Sequence, residues 1–138
     1  MKNNNTIKAL LLDFGSVISK SLFERHELIE EKLNLPEGTL TWKGPFDPKN
    51  DPLWMSMQRD EITERDYWRT RAKEVGELVG EQNWSMIDLL NAIGGETNYA
   101  KILRPEALET ITLVKKAGLK VICETQRDFY FGDLCLKR

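Results

Sequence analysis

Ile7-Lys8-Ala9-Leu10-Leu11-Leu12-Asp13-Phe14-Gly15-Ser16-Val17 is the stretch on which the fold turns. Ile7 to Leu12 is apolar apart from one lysine, and its apolar residues do not alternate strictly with polar ones. Such a run suits a strand buried on both faces, as in the middle of a parallel sheet. It ends on an acid followed by Phe14 and Gly15. In open α/β sheets, ligands bind outside the carboxyl ends of the strands. A carboxylate there can hold a cation or attack an electrophile. Gly15 reads as the residue that lets the backbone turn sharply and approach an anion closely. Asp13 would equally serve as a turn or cap residue, a common role for aspartate.

Working outward, Ser21 to Asn34 changes period. Leu22, His26, Ile29 and Leu33 fall at helical spacing, and Pro36 and Gly38 stop the helix. Thr41 to Pro52 is loop, with Gly44, Pro45 and Pro48 inside it. A short helix is expected from Pro52 to Arg59, with proline at its first position. Thr63-Glu64-Arg65-Asp66 is a variant capping box and opens a longer helix that carries Trp68, Ala72, Val75 and Val79 on one face. Gly80 ends it. Ser85 to Ile93 is a further helix, stopped by Gly94-Gly95. Pro105 to Lys116 is helical with Ala107, Leu108, Ile111 and Val114 inward, and Leu119 to Cys123 is a second strand. A strand, a helical excursion, then a helix and a strand is the order of a parallel α/β sheet with an insert. The expected fold is α/β, a partial Rossmann-like parallel sheet with an all-helical cap after the first strand. Residues 1–19 and 101–138 would form the core and 20–100 the cap.

Composition narrows the function. The chain has 138 residues, 41% hydrophobic and 30% charged, with a formal net charge of -2. No global field favours nucleic acid. No apolar stretch approaches the length of a membrane span, and the Asn-rich start has no apolar signal-peptide core. Two cysteines, Cys123 and Cys135, make no disulfide framework and no zinc pattern. The expected location is the reducing cytoplasm. His26, the one histidine, leaves no room for a multi-histidine metal site.

The stretch Leu10 to Ile18 resembles the first motif of the haloacid dehalogenase superfamily. Asp51-Pro52-Leu53-Trp54, Thr63 to Trp68, Arg104-Pro105-Glu106-Ala107 and Lys116 to Val121 resemble, in order and spacing, a subgroup of it with a small helical cap. The resemblance runs from about residue 7 onward. It implies a hydrolase of small phosphorylated metabolites. Asp13 would be the nucleophile, forming a covalent aspartyl intermediate, and its other oxygen would bind Mg²⁺. The carbonyl of Gly15 would be a second metal ligand. Phe14, Gly15, Thr125 and Gln126 would bind the substrate, with the Thr125 hydroxyl on the transferring phosphoryl group.

The sequence departs from that pattern. Most phosphatases of the superfamily carry a second aspartate two residues after the nucleophile as general acid and base. Gly15 stands there and cannot transfer a proton. Glu124 is a charge where relatives are apolar. No counterpart of the later lysine and acidic residues precedes Arg138, which implies a truncated form, weak or inactive alone. The alternative is a degenerate, non-catalytic binding or interaction module. Only two convincing strands are present, so self-association through exposed sheet edges is expected.

Other residues have plainer readings. His26 reads as a packed or rim histidine, and packing at helical spacing explains most of the four tryptophans, with about one in four left to line a substrate pocket. Cys123, inside a strand, reads as an inert buried thiol. Arg69, Arg71 and Lys73 read as a solvated helix face.

Overall fold

A computed structural model of the protein describes residues 6–96 and 98–124. The chain divides into two compact units. One comprises the residues up to Ser21 together with those from Asn98 onward, and the other is Leu22–Thr97.

The first unit holds the sheet. β1 (Ala9–Asp13) and β2 (Lys120–Glu124) pair in parallel, with Leu11 opposite Ile122 and Asp13 opposite Glu124. The strands lie one residue or two beyond their expected starts and close on the acids. A parallel pair needs a crossover. α5 (Pro105–Lys116) supplies the last element of that crossover and packs against β2. Proline at its start, Lys115 and Lys116 in its last turn, and Gly118 at φ +81 just past its end fix its limits.

Burial in this unit corrects the expectation of a strand covered on both faces. Leu10, Leu12 and Val121 are half-buried, but Leu11 is 59% exposed and Ile122 50% exposed. These two share the other face, because register partners in parallel strands point the same way. Among the described residues a single helix packs against the strand pair, and one helix shields one side only. On α5, Ala107, Ile111 and Val114 turn inward as expected, whereas Leu108 is exposed. Cys123 is also exposed rather than buried.

The regular structure among the described residues of the second unit is all helical: α1 (His26–Leu33), α2 (Pro52–Gln58), α3 (Glu64–Leu78) and α4 (Met86–Ile93), joined by loops and short 3₁₀ turns. The first helix starts later than its periodicity suggests. Leu22–Glu24 forms a separate 3₁₀ turn, and Arg25 breaks the path at φ -114, ψ 23. Leu22 is nevertheless buried, since the turn keeps it on the core side. Both α3 and α4 open on capping boxes, Thr63 with Asp66 and Ser85 with Asp88, each with reciprocal hydrogen bonds. The core gathers Leu22, Ile29, Leu40, Trp42, Tyr67, Ala72, Val75, Met86, Leu89 and Leu90. Gly76 lets α3 approach the Trp84 side chain closely: a β-carbon there would lie 2.7 Å from the Trp84 Cβ.

Candidate functional site

The sheet unit carries the residues singled out from the sequence. Asp13 is the last residue of β1, at its carboxyl end, and it is exposed. Glu124 is its register partner at the same end of β2. Thr125 and Gln126 lie outside the described residues. Two carboxylates, on neighbouring strands 4.7–4.9 Å apart in parallel sheets generally, therefore mark one edge of the pair.

The chain leaves Asp13 through a tight turn. Gly15 (φ -66, ψ 123) and Ser16 (φ 62, ψ -3) have the central angles of a type II turn. The Ser19 N–H donates to the Phe14 carbonyl at 2.9 Å, and the Ser19 hydroxyl donates to the same oxygen at 3.2 Å. This geometry corrects the role read for Gly15. The residue in the left-handed region is Ser16, at the position where a type II turn favours glycine. Gly15 sits where any L-residue fits, and a β-carbon on it would meet nothing within 4 Å. Its contribution is open space beside Asp13, with an exposed backbone. Phe14 is half-buried, and its carbonyl is occupied by Ser19.

The turn is tied to the segment that precedes α5. Ser19 bridges Leu103 in antiparallel fashion. The Lys20 N–H donates to Ile102 at 2.7 Å, and the Arg104 N–H donates to Ile18 at 2.9 Å. The Arg104 guanidinium donates from Nε and Nη2 to the Ser16 carbonyl at 3.3 and 3.2 Å. Ile18 beneath the turn is buried. The result is a fixed loop presenting Asp13 and Gly15 to solvent.

Mg²⁺ takes hard oxygen donors, commonly one or two carboxylates with waters. The Asp13 carboxylate and the Gly15 carbonyl are donors of that kind and both residues are exposed. They fit the ion in type. Among the described residues no group of three or more His, Cys, Asp or Glu side chains could hold a metal ion, so these two would be completed by water.

The helical unit holds the other charged constellation, one the sequence did not reveal. Asp51 is 1% exposed and accepts from the Gly44 N–H (3.1 Å), the Trp54 N–H (2.9 Å), the Tyr67 hydroxyl (2.8 Å) and Arg71 Nη2 (2.6 Å). Burial raises its pKa, but these donors outweigh burial and hold it below the usual carboxylate value. Arg71 is thus not part of a solvated face. It is buried, stacks against Trp42 and Tyr67, and also donates to Glu74 at 2.7 Å. The spacing Tyr67, Arg71, Val75 on α3 was the available signal, because it puts Arg71 on the apolar stripe. Phe23, His26, Trp42, Trp54 and Trp68 pack around this pair edge to face or tilted. Four protein donors converge on the enclosed Asp51 carboxylate, so the network braces the insert.

The insert also has two open, acid-lined concavities. One of about 510 Å³ lies among Met57, Asp60, Glu61, Ile62, Thr63, Glu64 and Asp66. The other, about 350 Å³, lies among Glu27, Glu30, Glu31, Leu35 and Glu37. Their carboxylates are partly committed: Glu61 pairs with Arg59, Asp66 caps α3, and Glu30 accepts from Gly38 and Leu40. Neither concavity includes Asp13. No described helix is long and apolar enough to cross a membrane. Compared with known proteins, the chain matches no family model, no curated protein and no solved structure.

Proposed function

We propose that this chain is a haloacid-dehalogenase-like phosphotransfer protein in which Asp13 attacks small phosphorylated metabolites and the covalent intermediate is long-lived. The observation carrying the reading is the exposed Asp13 at the carboxyl end of a parallel strand, followed directly by a braced turn with open space at Gly15. That position suits a nucleophile, because the sheet fixes its backbone while the carboxylate faces solvent. One Asp13 oxygen would attack phosphorus, and the bond from phosphorus to the leaving oxygen would break with its electron pair departing on that oxygen. Mg²⁺ held by Asp13 and the Gly15 carbonyl would neutralise phosphoryl charge.

Gly15 sets the rate profile. A leaving group that is stable as an anion needs no proton, so an acyl phosphate can transfer to Asp13. An alkyl phosphate needs a general acid, and hydrolysis of the aspartyl phosphate needs a general base. Their absence costs about 10²–10⁴ in each step. Acyl phosphates should therefore label the protein, while turnover of alkyl esters stays slow. The test is Mg²⁺-dependent release of phosphate from acetyl phosphate and from an alkyl phosphate by the wild type and Asp13→Asn. A small Asp13-dependent turnover confined to the acyl phosphate is expected. Equal release by wild type and Asp13→Asn overturns the reading.

A second reading has its own observation. Leu11 and Ile122 lie side by side and exposed on one sheet face, and an uncovered apolar strand pair is a surface for association. On that reading the chain is a non-catalytic interaction module. It predicts concentration-dependent oligomers in size-exclusion chromatography that Leu11→Lys abolishes, with no phosphoryl transfer.

A further inference from the structure

We propose that Arg104 is a positioning residue for Asp13, acting through the turn that follows it. The inference rests on the reading of Asp13 as nucleophile. Ser16 is a non-glycine residue at φ 62, in the position where this turn type calls for glycine. Such backbone states persist where the surroundings over-determine them, and they cluster at functional sites. The surroundings here are specific. Among the described residues, the distant side chain that donates to a turn carbonyl is Arg104, whose Nε and Nη2 both reach the Ser16 oxygen. Its own backbone N–H binds Ile18 two residues further on. One residue thus grips the turn at two points from across 88 positions of sequence.

The consequence follows from the chain path. Asp13 is joined to Ser16 by only Phe14 and Gly15, and Gly15 has no side chain to anchor it. Released from Arg104, Ser16 can leave its left-handed state, and the Gly15 carbonyl swings with the peptide that joins the two residues. Asp13 would then lose the fixed approach to phosphorus and its companion oxygen. Misplacement of a reacting group by about 1 Å costs on the order of 100-fold in rate. A purely electrostatic role for the Arg104 charge would act differently, weakening phosphate binding without slowing transfer from the bound state.

The experiment measures phosphoryl labelling of the full chain by acetyl phosphate with Mg²⁺, as a function of acetyl phosphate concentration, in wild type, Arg104→Met and Arg104→Lys. Amide exchange is followed on the same proteins. Arg104→Met should lower the maximal labelling rate roughly 10- to 100-fold while the half-saturating concentration stays within about twofold. Exchange should rise at Gly15, Ser16 and Val17 and not at Leu11 and Leu12. Arg104→Lys, which keeps one donor for the Ser16 carbonyl, should recover most of the rate. Wild-type labelling at Asp13 with an unchanged maximal rate in Arg104→Met overturns the positioning role and leaves the nucleophile standing. A raised half-saturating concentration at unchanged maximal rate overturns it likewise. Increased exchange spread through β1 would mean a general loss of fold and would also count against it. Absence of Asp13 labelling in the wild type overturns both proposals.

Discussion

Replacing Asp51 by alanine should be the most damaging single change in the helical unit. The carboxylate is 1% exposed and accepts four hydrogen bonds. Alanine removes the cap of α2, worth about 0.5–2 kcal/mol in isolation. It leaves the buried Tyr67 hydroxyl and Gly44 N–H without that acceptor, each unsatisfied group costing about 1–3 kcal/mol. It also leaves the Arg71 guanidinium, whose side chain is 11% exposed, with Glu74 as the remaining carboxylate of its two ion pairs. Breaking a buried ion pair from one side costs about 3–5 kcal/mol. These penalties overlap, because one relaxation of the pocket relieves several of them. The expected net loss is therefore about 3–5 kcal/mol, close to the whole stability of a small domain. Urea unfolding followed by tryptophan fluorescence reads it directly, since Trp42, Trp54, Trp68 and Trp84 all lie in this unit. The double variant Asp51→Leu/Arg71→Met should recover at least about 1 kcal/mol of that loss, because apolar replacement of a buried pair is often neutral or better. A loss below 1 kcal/mol in Asp51→Ala, or no recovery in the double variant, would refute the claim that this pair holds the insert together. The pair also gives a pH signature. The folded-state pKa of Asp51 lies below its unfolded value, so its stabilisation is complete above the unfolded pKa of about 3.9 and fades as pH falls through the folded value.

Further outcomes follow from other parts of the structure. Burial lowers the pKa of His26, with Glu30 opposing and Lys43 and Arg71 assisting; stability contributed by its neutral form should be full above the unfolded pKa of about 6.5 and fall as pH drops through the folded value, and His26→Phe should flatten the unfolding midpoint between pH 7 and 5. Thr63→Ala and Ser85→Ala each remove a capping box and should cost about 1 kcal/mol in urea unfolding. Gly15→Asp places a carboxylate in open space at an ordinary backbone conformation. It should speed alkyl phosphate hydrolysis by roughly 10-fold or more without lowering the thermal midpoint, and an unchanged rate would mean that the open side of Gly15 is not the substrate side.

The parallel strand pair was legible because an apolar run closing on an acid, and a second run after a helix and glycine, need only local pattern. That two strands and one helix would leave a face bare was legible too, but not which residues would line it. Leu11 has the same composition context as Leu10 and Leu12, and its exposure depends on which face α5 packs against. The turn after Asp13 misled for a related reason. Glycine marks permissive backbone, so Gly15 drew the assignment, yet the left-handed residue is Ser16, held there by Arg104 from a segment 88 positions away. Arg71 was misplaced because arginine among charged neighbours reads as surface, and nothing local announces a buried acid at Asp51. The Thr63 capping box, by contrast, follows a short-range rule and reads directly from spacing, and the same spacing at Ser85 and Asp88 was there to be read.

The central claim is that Asp13 is a nucleophile whose phosphorylated form decays slowly. The direct measurement is incubation of the protein with acetyl phosphate and Mg²⁺, borohydride reduction, and mass spectrometry of the peptide spanning β1. An aspartyl phosphate is reduced to homoserine, so homoserine at position 13, growing with exposure to acetyl phosphate and absent without Mg²⁺, is the predicted result. An unmodified Asp13 peptide, or homoserine at a different acid that persists in Asp13→Asn, contradicts the account.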